Sequence, residues 1–201
     1  MFWSFVLAAV LIELTPGPNM TWLAVLGASR GRLTALAAVA GVGLGLAIAA
    51  VIAGLGLTTI LLEVPALFQA LRWAGTLYLF YLAWEAWSES SDISNGTAIS
   101  YGPAFRRGLI SNVLNPKAYL FYAALLPQFI SYETDIVNEL TLLSATYVLV
   151  ATAIHGAIAL LAGSMAQFLQ TSPHAVTIRK ALAILIALAA CWFFYATKLT
   201  G

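Results

Sequence analysis

Charge is what this chain most lacks. Only 8% of its 201 residues are Asp, Glu, Lys or Arg and 62% are hydrophobic, whereas roughly a quarter of the residues of a soluble domain are charged. Together with a mean hydropathy of +0.92, this excludes a water-soluble globular domain and marks an all-α integral membrane protein. A net charge of +1 gives no sign of a nucleic-acid partner. The one cysteine, Cys191, rules out an internal disulfide and fits no metal-ligand spacing, so no metal or other cofactor is expected. Met1-Phe2-Trp3-Ser4 holds no basic residue and no small-x-small cleavage pattern follows, so the first apolar run is expected to stay in the mature protein. Neither an H-E-x-x-H nor a G-x-S-x-G motif is present, which leaves an intramembrane enzyme built on Glu13 and His155 without specific support.

What the chain has is long apolar runs. A helix of about 20 residues crosses the ~30 Å hydrocarbon core, and six runs of that order are read at 2–26, 35–62, 66–87, 109–130, 140–168 and 181–199. The second and fifth are long enough to tilt or to include interfacial turns. Arg30 and Arg32 follow the first run, Arg106 and Arg107 precede the fourth, and Arg179 and Lys180 precede the sixth. By the positive-inside rule these loops are cytoplasmic, so the chain is multi-pass with both termini periplasmic. Glu63 lies in one intervening loop and Glu133, Asp135 and Glu139 in another. Arg72 and Lys198 break the pattern and are read as snorkelling at helix ends. A segment rich in Ser, Asn and Gly at 89–103 divides a single transmembrane domain, 1–201, into halves at about 1–88 and 104–201. Three spans per half is an odd number, so the halves insert in opposite senses as inverted three-helix repeats.

Two of the runs are interrupted by proline. Thr15-Pro16-Gly17-Pro18-Asn19 breaks the first and Asn115-Pro116-Lys117 the fourth. Proline removes a backbone donor and clashes with the preceding turn, and unsatisfied backbone survives at membrane depth only inside protein or against a water-filled cavity. An Asn or Thr followed by proline also suits the start of a new helix. Each break can therefore open a half-helix whose positive N-terminal end attracts a carboxylate. Carbonyls released by the prolines, with Glu13 one turn upstream, suit an ammonium group or a proton. The pair fits an amino-acid zwitterion. The bland alternative is that the prolines only kink two packed helices.

The remaining candidates divide between function and packing. Glu13 lies deep in the first run, where desolvation favours its neutral form. It is read as the proton-coupling group, with a permanently hydrogen-bonded packing role as the alternative. Lys117 either lines the cavity as a carboxylate partner or snorkels to the cytoplasmic surface. His155 either relays protons or is hydrogen-bonded structure, and it stays outside the core site. Gly41 and Gly45, and likewise Gly27 and Gly31, have small-xxx-small spacing that serves tight packing or a dimer seam, so a homo-oligomer is compatible with the sequence. Tyr78, Tyr81, Trp84, Trp87, Tyr119 and Tyr122 read mainly as interfacial belt and packing residues.

Taken in order, Thr15-Pro16-Gly17-Pro18-Asn19, Gly31-Arg32, the Gly41–Gly45 segment, Gly75-Thr76-Leu77-Tyr78-Leu79, Leu114-Asn115-Pro116-Lys117-Ala118 and Leu126-Pro127-Gln128-Phe129 resemble the LysE/RhtB family of bacterial amino-acid exporters across most of the chain. The resemblance implies a six-helix protein of the bacterial inner membrane. It would act as a secondary transporter that exports amino acids or close derivatives, with the proton motive force as energy source and proton antiport, uniport or another coupling left open. Carried over residue by residue, it highlights Pro16, Gly17, Pro18, Asn19, Asn115, Pro116 and Lys117 as substrate-binding. Ala83 and Glu85 depart from the glycine and basic residue that many relatives carry there, and no feature selects one amino acid. A passive channel on the same fold remains the second alternative to the exporter.

Overall fold

The first apolar run folds as two helices with a break between them, α1 (Phe2–Leu14) and α2 (Pro18–Arg30). This is a computed structural model, and it describes residues 1–15, 17–88, 101–131 and 135–197. Pro16, most of the segment between the halves, Glu133 and Lys198 lie outside the described residues. Pro18 takes the first position of α2, where a missing N–H costs nothing, and the extended Gly17 before it is the N-cap. The fourth run breaks in the same way. α6 (Tyr101–Val113) stops before Asn115, whose side chain accepts the amide of Lys117 at 3.1 Å, and Pro116 opens α7 (Pro116–Leu120). A π-helical turn (Phe121–Leu125) and a 3-10 turn (Leu126–Phe129) continue it.

Between and after the breaks run α3 (Arg32–Gly54), α4 (Leu57–Glu63), α5 (Pro65–Ser88), α8 (Ile136–Gly163), α9 (Ala166–Thr171) and α10 (Ala175–Ala196). The long second and fifth runs do contain turns. Gly56, at φ 76°, separates α3 from α4, a backbone conformation that favours glycine, and α8 ends at Gly163 ahead of α9. α6 begins eight residues before the expected start of the fourth span, because its first turns carry Arg106 and Arg107 and hydropathy does not mark them. Asp135 caps α8 by accepting the amides of Val137 and Asn138.

α3, α8 and α10 are each long and apolar enough to cross a membrane. The distribution of side chains is that of a protein solvated by lipid. Leu149, Leu161, Phe168 and Leu188 are well exposed, whereas Glu13, Asn19, Arg72, Asn112, Asn115 and His155 are buried. Arg72 corrects the sequence reading, because it does not snorkel. It is 5% exposed, its Nε donates to the Phe194 carbonyl at 2.9 Å, and its Nη1 donates to Gln69 Oε1 at 2.8 Å. The guanidinium thereby donates to a carbonyl in the last turn of α10, where helix carbonyls run out of intrahelical donors.

α1 and α2 pack against α8, α3 against α6 and α8, and α5 against α10. The α3–α6 contact is backbone to backbone. A Cβ at Gly41 would overlap the Phe105 carbonyl, and one at Gly108 would overlap the Ala38 carbonyl. The Gly41–Gly45 face is therefore used within the subunit. Gly27 likewise faces the backbone of α8 at Ala159. Tyr119 and Tyr122 are buried rather than in a belt. Two apolar clusters result, one including Trp22, Val42, Leu82 and Ala159, the other Phe5, Leu46, Tyr122 and Ala151. Along α3 and α8 the clusters are consecutive, so His155 falls between them, and a polar layer occupies that level.

Candidate functional site

The polar layer is built where the two helix breaks meet. Residue 16 is proline and offers no N–H to the Ile12 carbonyl, which in an unbroken helix would accept from that position. The carbonyl takes the Thr15 amide at 3.2 Å and, from the other half of the chain, the Lys117 ammonium at 2.8 Å. Lys117 is thus turned into the protein. Of its two sequence readings, the structure adopts the cavity-lining one.

Glu13, one residue further along α1, is 5% exposed and surrounded by donors. Tyr147 Oη donates to its Oε1 at 2.6 Å, Lys117 Nζ lies 3.7 Å from the same oxygen, and His155 Nε2 lies 3.5 Å from Oε2. A carboxylate at membrane depth requires such partners. On the opposite side Ser111 Oγ donates to Asn19 Oδ1 at 2.6 Å and Asn19 Nδ2 donates to Asn112 Oδ1 at 2.9 Å. This chain of bonds ties α2 to α6 across the two halves. Asn112 Nδ2 and His155 Nδ1 are buried and make no hydrogen bond among the described residues. Such orphaned groups are rare in folded proteins and point to a polar ligand or water.

Asn112, Tyr147 and His155 line a cavity of about 20 Å³ together with Glu13 and Asn19. Glu13, Gly17, Pro18, Asn19, Asn115 and Lys117 all reach it, whereas Pro116 is buried without lining it. Asn19 and Met20 of α2 and Lys117 and Ala118 of α7 border the space, so the first turns of both helices open on one volume, although the Lys117 and Ala118 amides are already taken by Asn115. A cavity of this size holds a water molecule. It is too small for an amino acid, so the conformation is closed around the site.

Tyr147, Asn112 and Ser111 join the site without having been singled out, and His155, set aside from the core, belongs to it. Part of the signal was available. Leu143, Tyr147, Ala151, His155 and Ala159 are the buried residues of α8 and recur every fourth position, so a tyrosine and a histidine two turns apart share one inward stripe. Nothing local told that this stripe faces Glu13. At the level of the basic loops, Arg107 pairs with Glu85, which joins α6 to α5.

Comparison with known proteins gives a consistent assignment. The model of the LysE type translocator family matches residues 10–197. The homoserine/homoserine lactone efflux protein of Salmonella typhimurium is 30% identical over 190 residues, 93% of this chain and 92% of that protein. The leucine efflux protein of Salmonella choleraesuis is 33% identical over 133 residues, 64% of this chain and 63% of that protein. No solved structure matches. With a family model covering both helix breaks and nearly all of the chain, the protein belongs to the LysE type translocator family and is a transporter rather than an enzyme.

Proposed function

We propose that this protein is a secondary transporter that exports amino acids or close derivatives from the bacterial cytoplasm across the inner membrane. The observation that carries the proposal is the convergence of both helix breaks on one polar cavity between two apolar clusters. In the loaded state the substrate carboxylate meets the N-termini of α2 and α7, the free amide of Asn112 and the Lys117 ammonium. The substrate ammonium meets Glu13 and the Ile12 carbonyl. Gly17, Pro18, Asn19, Asn115 and Pro116 hold the backbone in the shape that presents these groups, and Pro16 joins them as a substrate-site residue in this reading. The names of the relatives, efflux proteins for homoserine and its lactone and for leucine, support an amino-acid cargo.

Six spans form two inverted three-helix repeats in this reading, with the basic loops cytoplasmic and both termini periplasmic. The packing partners support it. If the first span exchanges with the fourth, the second with the fifth and the third with the sixth, then the contact of α1 and α2 with α8 becomes that of α6 with α3. The α5–α10 contact maps on itself. A two-fold relation between halves requires that pattern, and rocking one half against the other would expose the site alternately. The apolar clusters on both sides of the polar layer favour this carrier over a permanently open channel. Proton antiport, with Glu13 as the coupling group, is the proposed energy source.

The test is efflux of preloaded labelled amino acids from proteoliposomes, screened over basic, hydroxylated, branched and sulfur-containing classes, with and without a pH gradient. Saturable efflux of one class, accelerated by the gradient, is the expected result. Gradient-independent efflux would remove the proton coupling, and no efflux of any class by folded protein would refute the exporter.

A further inference from the structure

The carbonyl that Pro16 frees in α1 is already in use. The Lys117 ammonium, from a residue 105 positions away, donates to Ile12 O at 2.8 Å and stands 3.7 Å from Glu13 Oε1. A primary ammonium between a backbone carbonyl and a carboxylate is what the ammonium group of a bound amino acid would form. We propose that Lys117 is a tethered surrogate for the substrate ammonium: it fills the ammonium subsite when no amino acid is bound and leaves it when one arrives. This rests on the exporter reading above and deepens it.

Size is the first argument. The cavity of about 20 Å³ admits a water but no amino acid, so the groups that line it must part for substrate to enter. The other partners of Glu13 are held in place. Tyr147 is buried and stacked on Phe121, with ring centroids 3.5 Å apart and planes 9° apart, and the His155 side chain is 6% exposed. The Lys117 side chain is 29% exposed and has a flexible four-carbon stem. It is the one that can swing.

Charge is the second. In the closed site Glu13 and Lys117 form a neutral pair, as membrane depth demands. When a substrate ammonium replaces Lys117 at Glu13, the displaced lysine needs an anion, and the substrate carboxylate is that anion. Both states then pair every charge. His155 and Tyr147, the other titratable groups facing Glu13, keep their positions throughout. A simple amine lacks the carboxylate, so it cannot displace the lysine without leaving a buried charge alone.

The surrogate matters for the empty leg of the cycle. A net exporter must return without cargo, whereas one-for-one exchange carries an amino acid both ways. Removing the lysine ammonium therefore impairs the empty return more than the loaded passage. The assay compares net efflux of labelled leucine and labelled homoserine into substrate-free buffer with their exchange against unlabelled amino acid, in proteoliposomes. For Lys117→Gln both rates fall, exchange through weaker binding, but the ratio of net efflux to exchange falls about tenfold or more relative to wild type. In Lys117→Ala, methylammonium restores net efflux, and tetramethylammonium, which has no N–H to donate, does not. In the wild type, methylammonium inhibits far less than an amino acid does.

An unchanged ratio in Lys117→Gln, or a Lys117→Ala protein still capable of exchange that methylammonium fails to rescue, overturns the surrogate role and leaves the exporter standing. Should the variants not fold, the wild type alone decides: inhibition by methylammonium as strong as by an amino acid overturns the proposal. A wild type that moves no amino acid overturns the exporter reading and the surrogate with it.

Discussion

A double-mutant cycle on Glu13 and Lys117 measures whether the lysine is bound where the structure places it. At 3.7 Å, two unit charges in an effective dielectric of about 20 attract by about 4 kcal/mol. Part of this is lost to desolvation and to the solvent that reaches the lysine, whose side chain is 29% exposed. A coupling energy of about 1–3 kcal/mol is expected. The variants are Glu13→Gln, Lys117→Gln and the pair, and the readout is unfolding in detergent micelles. Glutamine keeps the approximate shape of each side chain, and in Glu13→Gln the amide oxygen still accepts from the Tyr147 hydroxyl. Each single variant strands one charge, and the double variant strands none, so it should be more stable than the sum of the singles predicts. If Lys117 instead reached the membrane surface, the two sites would be independent and their effects additive to within about 0.5 kcal/mol. That outcome would refute the geometry of the polar layer.

Tyr147→Phe keeps the ring on Phe121 and removes only the hydroxyl that donates to Glu13 at 2.6 Å. A hydrogen bond to a charged group contributes about 1.5–3 kcal/mol, and a loss of that order in the same unfolding assay is the expected outcome; wild-type stability would mean that the carboxylate does not depend on this donor. Two glycine substitutions should differ in effect. Gly41→Ala forces a Cβ into the Phe105 carbonyl and should cost about 1–3 kcal/mol, whereas Gly156→Ala meets nothing within 4 Å and should be neutral or gain up to about 1 kcal/mol from helix propensity. Equal unfolding midpoints for the two variants would contradict the close α3–α6 approach.

The legible parts of this protein are those fixed by chemistry within a few residues. The break at Asn115-Pro116 could be read because the missing N–H and the capping side chain act locally, whereas the first break reads as Thr15-Pro16 opening the new helix, and instead Thr15 ends α1 and Gly17-Pro18 begins α2. The burial of Glu13 followed from its depth in an apolar run. What could not be read depends on which helix lies opposite. Arg72 has its acceptor at Phe194, 122 residues away, so from sequence alone it was one more charge near a helix end. Lys117 sits at a position where snorkelling and inward burial are equally open until α7 is placed beside α1. The face of α8 that turns inward was hidden because leucines cover its exposed faces as well, so His155 could not be assigned to Glu13. Hydropathy also misplaced the start of α6, because a helix can begin outside the apolar part of a span.

The break between α1 and α2 supplies both poles of the site, which explains why two prolines stand so close together. Ending α1 at Leu14 leaves carbonyls at its C-terminus, the negative end of that helix, beside Glu13. Starting α2 at Pro18 puts amides at its N-terminus, the positive end, on the same cavity. A kinked but continuous helix would offer neither. The second break adds the N-terminus of α7 and, with it, Lys117. The asymmetry between the breaks then follows: the first carries an acid just before it and the second a base just after it. A pair of identical breaks would bind an anion twice. One with Glu13 and one with Lys117 can bind a zwitterion, and in its absence they bind each other.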